Sequence, residues 1–159
     1  MSKESGQLTP IEKELHFNVW RKENGIARFL FDLDDTVCGT RVIFKNQESA
    51  ASDYLSINAP VISRDEWNEQ IQATNNRLYE QLGVNPNKWN VIVDELARLY
   101  ELSMEVQETT KQIFSQIFTT PPKILKGAEE GLEFLVKVGM PIGIVTHAGS
   151  EWTWRKYNW

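Results

Sequence analysis

The chain has 159 residues, 41% of them hydrophobic and 25% charged, and a formal net charge of −5. That length allows one core with a subdomain rather than two large domains, and the acidic balance argues against general nucleic-acid or anionic-membrane binding. One cysteine, Cys38, excludes an intrachain disulfide and fits a reducing cytoplasm, and no apolar run approaches the roughly 20 residues that span a bilayer.

Residues 1–8 read as a loosely held tail without the apolar stretch of a signal peptide, so a cytoplasmic location is expected. Thr9-Pro10-Ile11-Glu12 is a helix start: a capping threonine, proline at the first helical position, glutamate three residues after the cap. The helix is expected to run to about residue 21 with Ile11, Leu15 and Val19 on one face, and Asn24-Gly25 breaks it. Residues 26–31 form an apolar run that feeds directly into Asp32-Leu33-Asp34-Asp35-Thr36-Val37, and a strand is expected over 26–33. Such a run ending in D-x-D-x-T predicts a buried strand with two carboxylates at its C-terminal tip, where open α/β sheets bind ligands.

Arg41-Val42-Ile43-Phe44 reads as short and β-like, and the chain from about 46 to 119 reads as helical. Ser63-Arg64-Asp65-Glu66 is a capping box followed by the stripe Trp67, Ile71, Leu78, Leu82. Asn85-Pro86 opens a second helix carrying Trp89, Ile92, Val93, Leu96 and Tyr100. Val106, Ile113, Phe114, Ile117 and Phe118 mark a third. Several amphipathic helices in succession predict a small bundle, which Pro121-Pro122 closes. Residues 128–138 then read as a helix burying Leu132, Leu135 and Val136, ended by Gly139. Pro141-Ile142-Gly143-Ile144-Val145-Thr146 gives a second apolar strand, and a last helix begins near Glu151 with Trp152 and Trp159 on its buried face. Strand, helix and strand in one sheet predict a parallel pair with a right-handed crossover.

The D-x-D-x-T strand tip and the later apolar strand ending in threonine, in that order around a helical insertion, resemble the first and second motifs of the haloacid dehalogenase-like (HAD) superfamily. The resemblance covers nearly the whole chain and implies an α/β fold: an incomplete HAD-type, Rossmann-like parallel sheet core with an inserted α-helical bundle cap. The core is expected in residues 1–40 and 120–159 and the cap in residues 41–119, with a hairpin-like flap at Arg41-Val42-Ile43-Phe44.

The same resemblance implies the chemistry. Asp32 is the expected nucleophile toward a phosphoryl group, and Asp34 the general acid and then base, a role requiring a carboxylate that can hold a proton near neutral pH. Mg²⁺ is the implied cofactor, held by the Asp32 side chain and the Asp34 backbone carbonyl. Thr146 and the amide of His147 are expected to hold a phosphoryl oxygen, with the His147 side chain a candidate substrate contact. The plainer alternatives are a strand-end Asp32 capping an amide and a β-branched Thr146 filling a strand end. Asp35 and Thr36 are expected to shape the turn, and Cys38, with no base beside it in sequence, to be a small semi-buried thiol.

The resemblance also implies a lysine or arginine third motif and an acidic fourth motif on later strands. Only 13 residues follow Thr146 (159 − 146), and Lys156, in the next helix, is too early for the third. The chain is therefore expected to be a truncated and inactive form of a phosphatase acting on a small phosphorylated metabolite. Hydrolytic 2-haloacid dehalogenation and a non-catalytic interaction module stay open beside it, although Asp34 favours phosphate transfer over carbon–halogen cleavage. Expected partners are the phosphorylated substrate and a second copy paired through an exposed sheet edge, with no nucleic acid and no membrane.

Overall fold

A computed structural model describes residues 8–158. The expected tail therefore lies outside the described residues except for Leu8, and so does Trp159, the expected partner of Trp152. No helix among the described residues is long and apolar enough to cross a membrane.

The capping box at Thr9 forms as read. Its hydroxyl accepts the Glu12 N–H at 3.3 Å and the Glu12 carboxylate accepts the Thr9 N–H at 2.8 Å, opening α1 (Pro10–Glu23). Ile11, Leu15 and Val19 share one face of this helix as read, but that face is exposed. The helix is anchored instead through Glu14, Phe17 and Arg21, which recur at steps of three and four. Glu14 pairs with Lys137 at 3.2 Å, Phe17 packs edge-on against Phe134 at 5.2 Å, and Arg21 reaches the Met140 sulfur. Leucine and valine spacing pointed to one side of this helix, and an aromatic contact with the sheet layer selects another.

Four residues, β1 (Phe29–Asp32), pair in parallel with β4 (Ile142–Val145), in the register Phe29↔Ile142 through Asp32↔Val145. Between them, β2 (Cys38–Gly39) pairs antiparallel with β3 (Lys123–Ile124) and ties the entry of the helical insertion to its exit. The expected strand at residues 41–44 is absent. Those residues are the first turn of α2 (Arg41–Asn58), where Ile43 is buried and Phe44 packs against Trp89. β-branched residues favour strands only weakly, and burial of one helical face overrides that preference here.

The largest core lies in the insertion. After α2 come α3 (Arg64–Leu82), α4 (Asn87–Tyr100), α5 (Met104–Ser115) and one 3₁₀ turn, Gln116–Phe118. The stripes read from sequence converge: Trp67, Ile71, Ile92, Val93, Leu96, Phe114 and Ile117 are fully sequestered in one cluster, while Leu82 at the end of its helix stays exposed. α6 (Ala128–Lys137) buries Leu135 but leaves Val136 exposed. α7 (Ser150–Tyr157) joins the insertion to the sheet layer, because Trp152 belongs to the large cluster and meets Phe118 edge-on at 5.0 Å.

Candidate active site

The parallel register sets the site. Asp32 is the last residue of β1 and faces Val145, the last residue of β4, so Thr146 follows at the same end of the sheet. Asp32 is exposed, and its Oδ1 accepts the N–H of Leu33 at 2.9 Å. Thr146 is half-buried, and its Oγ accepts the Ala148 N–H at 3.2 Å, which leaves the hydroxyl proton to donate elsewhere. His147 is exposed and faces a neighbouring groove of about 610 Å³ that it shares with Gly149, Glu151 and Arg155.

The loop after β1 is folded back on itself by its own backbone. Leu33 C=O accepts the N–H groups of Val37 and Cys38, Asp35 N–H donates to Cys38 C=O at 2.7 Å, and buried Leu33 and Val37 hold the loop down. Asp35 sits in the left-handed region at φ 56°, which aspartate tolerates better than most residues. Its carboxylate accepts the Arg41 N–H at 2.8 Å and lies 3.5 Å from the Arg41 Nε. The structural role read for Asp35 is thus visible: it places a negative charge on the first turn of α2, whose Thr40 cap makes no side-chain bond.

Asp34 has a partner that sequence reasoning passed over. Its Oδ1 accepts a charge-assisted hydrogen bond from the Lys156 ammonium, across 122 positions of chain. The Lys156 side chain is 0% exposed and that of Asp34 29%. The lysine also lies 4.7 Å from the centroid of the Trp152 ring, four residues back on the same helix. That i, i+4 relation to a tryptophan is the sequence signal for a shared helix face.

Cys38 sits in the same loop, buried and without a disulfide. Burial pushes its thiol up, and Asp34 adds to that against the opposing pull of Lys156. No base accompanies it among the described contacts, in keeping with a packing role.

Among the described residues no three histidine, cysteine, aspartate or glutamate side chains gather where they could hold a metal ion. The Asp32 carboxylate and the Asp34 carbonyl remain as oxygen donors on one short segment. That set suits Mg²⁺, which binds through one or two carboxylates and keeps waters and substrate oxygens.

Beside this loop, between Asp34 and Asp35 on one side and helices α2 to α4 on the other, opens a cavity of about 490 Å³. The insertion thus stands over the end of the sheet at which both motif strands finish.

The family model of haloacid dehalogenase-like hydrolases matches residues 29–158. Among solved structures, a haloacid dehalogenase-like family hydrolase from Xanthomonas campestris aligns with a TM-score of 0.66 at 15% identity. The match covers 83% of this chain and 56% of that one, so the chain spans a little over half the length of that structure. At that identity the likeness shows the fold alone. No curated protein matches the chain.

Proposed function

This chain belongs to the haloacid dehalogenase-like hydrolase family, and from that membership we propose that it carries phosphatase chemistry on a small phosphorylated metabolite. The observation that supports this reading most is the Asp32↔Val145 register, which sets Asp32 and Thr146 at adjoining strand ends.

In this reading Asp32 Oδ2, the oxygen not engaged by Leu33, attacks phosphorus. The bond from phosphorus to the leaving oxygen breaks, and Asp34 gives that oxygen its proton. A water then attacks the aspartyl-phosphate, Asp34 takes the water's proton, and inorganic phosphate leaves. Thr146 Oγ–H and the His147 N–H donate to a phosphoryl oxygen as its charge redistributes. Mg²⁺, when bound by the Asp32 carboxylate and the Asp34 carbonyl, supplies charge neutralisation of the phosphoryl group. Lys156 holds Asp34 by Oδ1 and so leaves Oδ2 for the proton. The helices of residues 41–119 act as the cap that limits water and selects the substrate.

Slow steady-state turnover belongs to the same reading, since the two donors named for the metal come from one segment. The test is phosphoenzyme formation. After exposure to acetyl phosphate with Mg²⁺, mass spectrometry is expected to find one phosphoryl group on the peptide containing Asp32 and none in Asp32→Asn. A phosphoryl group on another residue, or none on the unaltered chain, would overturn the proposal.

A further inference from the structure

Lys88 is 5% exposed, yet its side-chain ammonium makes neither an ion pair nor a hydrogen bond with any described residue. Its ammonium lies 5.0 Å from the Tyr79 ring centroid and 5.6 Å from that of Trp89, contacts that only partly replace lost water. Burial lowers its affinity for a proton, with Glu48 opposing. A lysine held this way normally costs stability unless something anionic meets it.

The cavity beside the aspartate loop is lined by Lys88, Glu48, Asn75 and Lys45 on the cap side and by Asp34 and Asp35 on the other. Two of its charges are already matched, Asp35 by Arg41 and Asp34 by Lys156. Glu48, Lys45 and Lys88 remain, a surplus of one positive charge. Asn75 belongs to the same cluster, its amide N–H donating to Glu48 Oε1 at 3.5 Å.

We propose that this cavity recognises the leaving-group end of the substrate through a carboxylate, which pairs with Lys88. The inference rests on the phosphatase reading for the orientation of the substrate, with its phosphate toward Asp32. A carboxylate fits better than a second phosphate, because one negative charge balances the surplus and a dianion would meet Glu48.

Calorimetry on the full chain tests this with four probes: glycerate phosphorylated on its terminal hydroxyl, glycerol phosphate, glycerol bisphosphate and unphosphorylated glycerate. Phosphoglycerate is expected to bind about tenfold more tightly than glycerol phosphate, the effect of one charge-assisted hydrogen bond. Lys88→Met is expected to abolish that preference and Lys88→Arg to keep most of it. Circular dichroism and the urea midpoint verify that each variant folds. If Lys88→Met does not fold, Lys88→Gln, neutral but still polar, takes its place with the same expected loss of preference. Equal binding of phosphoglycerate and glycerol phosphate overturns the proposal, as does a preference that survives in Lys88→Met, or tighter binding of the bisphosphate. Glycerate separates the two readings. Lys88-dependent glycerate binding in a chain that never forms a phosphoenzyme keeps the carboxylate site and removes the phosphatase. A phosphoenzyme with no carboxylate preference removes the carboxylate site alone.

Discussion

Lys156 on the last helix hydrogen-bonds Asp34 in the loop after the first strand, and the pair is lopsided: the lysine side chain has no solvent contact and the aspartate retains 29%. The consequence is an asymmetry under mutation. Asp34→Asn strands a buried ammonium and is expected to cost about 3–5 kcal/mol. Lys156→Met leaves a carboxylate that still reaches water and is expected to cost about 1–2 kcal/mol. The double variant is expected to recover part of the Asp34→Asn loss. Urea midpoints at constant m-value check this order, and a larger loss in Lys156→Met than in Asp34→Asn would contradict it.

Stability is concentrated in the helical insertion. Trp67 and Phe114 are fully buried there, and Trp67→Ala or Phe114→Ala is expected to cost about 3–5 kcal/mol. Ile11→Ala, on the exposed side of α1, is expected to change stability by no more than about 0.5 kcal/mol. Thermal or urea unfolding of the three variants measures the contrast.

Glu48 and Lys88 give the chain a pH signature. Burial raises the Glu48 carboxyl above its ordinary range, with Lys88 and then Lys45 opposing. A raised folded value means its contribution is full below the ordinary carboxylate range and is lost as pH climbs through the folded value. Lys88 runs the other way: its lowered value makes its contribution full above the ordinary lysine range and lost as pH falls through the folded value. Each group therefore penalises folding when charged, and each eases the other. Lys88→Met is expected to raise the Glu48 value further, read by carboxyl NMR titration. An unchanged Glu48 titration would show that the two do not interact.

Cys38 is expected to resist thiol reagents in the folded chain, since burial raises its thiol and hides it. Reaction with a chromogenic disulfide is expected to be at least about tenfold slower than in urea. Equal rates would mean that the loop opens freely.

Much of this architecture was legible in the residues because its signals were local. The caps at Thr9 and Ser63 form as read, each with the reciprocal glutamate. The long stripes from Trp67 to Phe118, Leu82 excepted, face the core as spaced, because three- and four-residue periodicity reports a helix face directly. What failed depended on tertiary choice. The Ile11, Leu15, Val19 stripe lost to Phe17, whose ring meets Phe134 and Phe29. Residues 41–44 have strand-like side chains but begin a helix, because Asp35 six positions back caps it. Asp32 and Thr146 lie at adjoining strand ends, a position legible in the apolar runs before them. The Lys156 contact and the burial of Lys88 were not legible, since they arise only from packing between distant helices.

The central claim is that Asp32 and Thr146 grip one phosphoryl group, and tungstate, a stable tetrahedral oxyanion, tests it directly. Backbone amide resonances would be followed as tungstate and Mg²⁺ are added to the full chain. Leu33, next to Asp32, and Thr146 with His147 are expected to shift together along one binding curve that Thr146→Val weakens. Shifts confined to one strand end, two unrelated curves, or a curve indifferent to Thr146→Val would contradict the account.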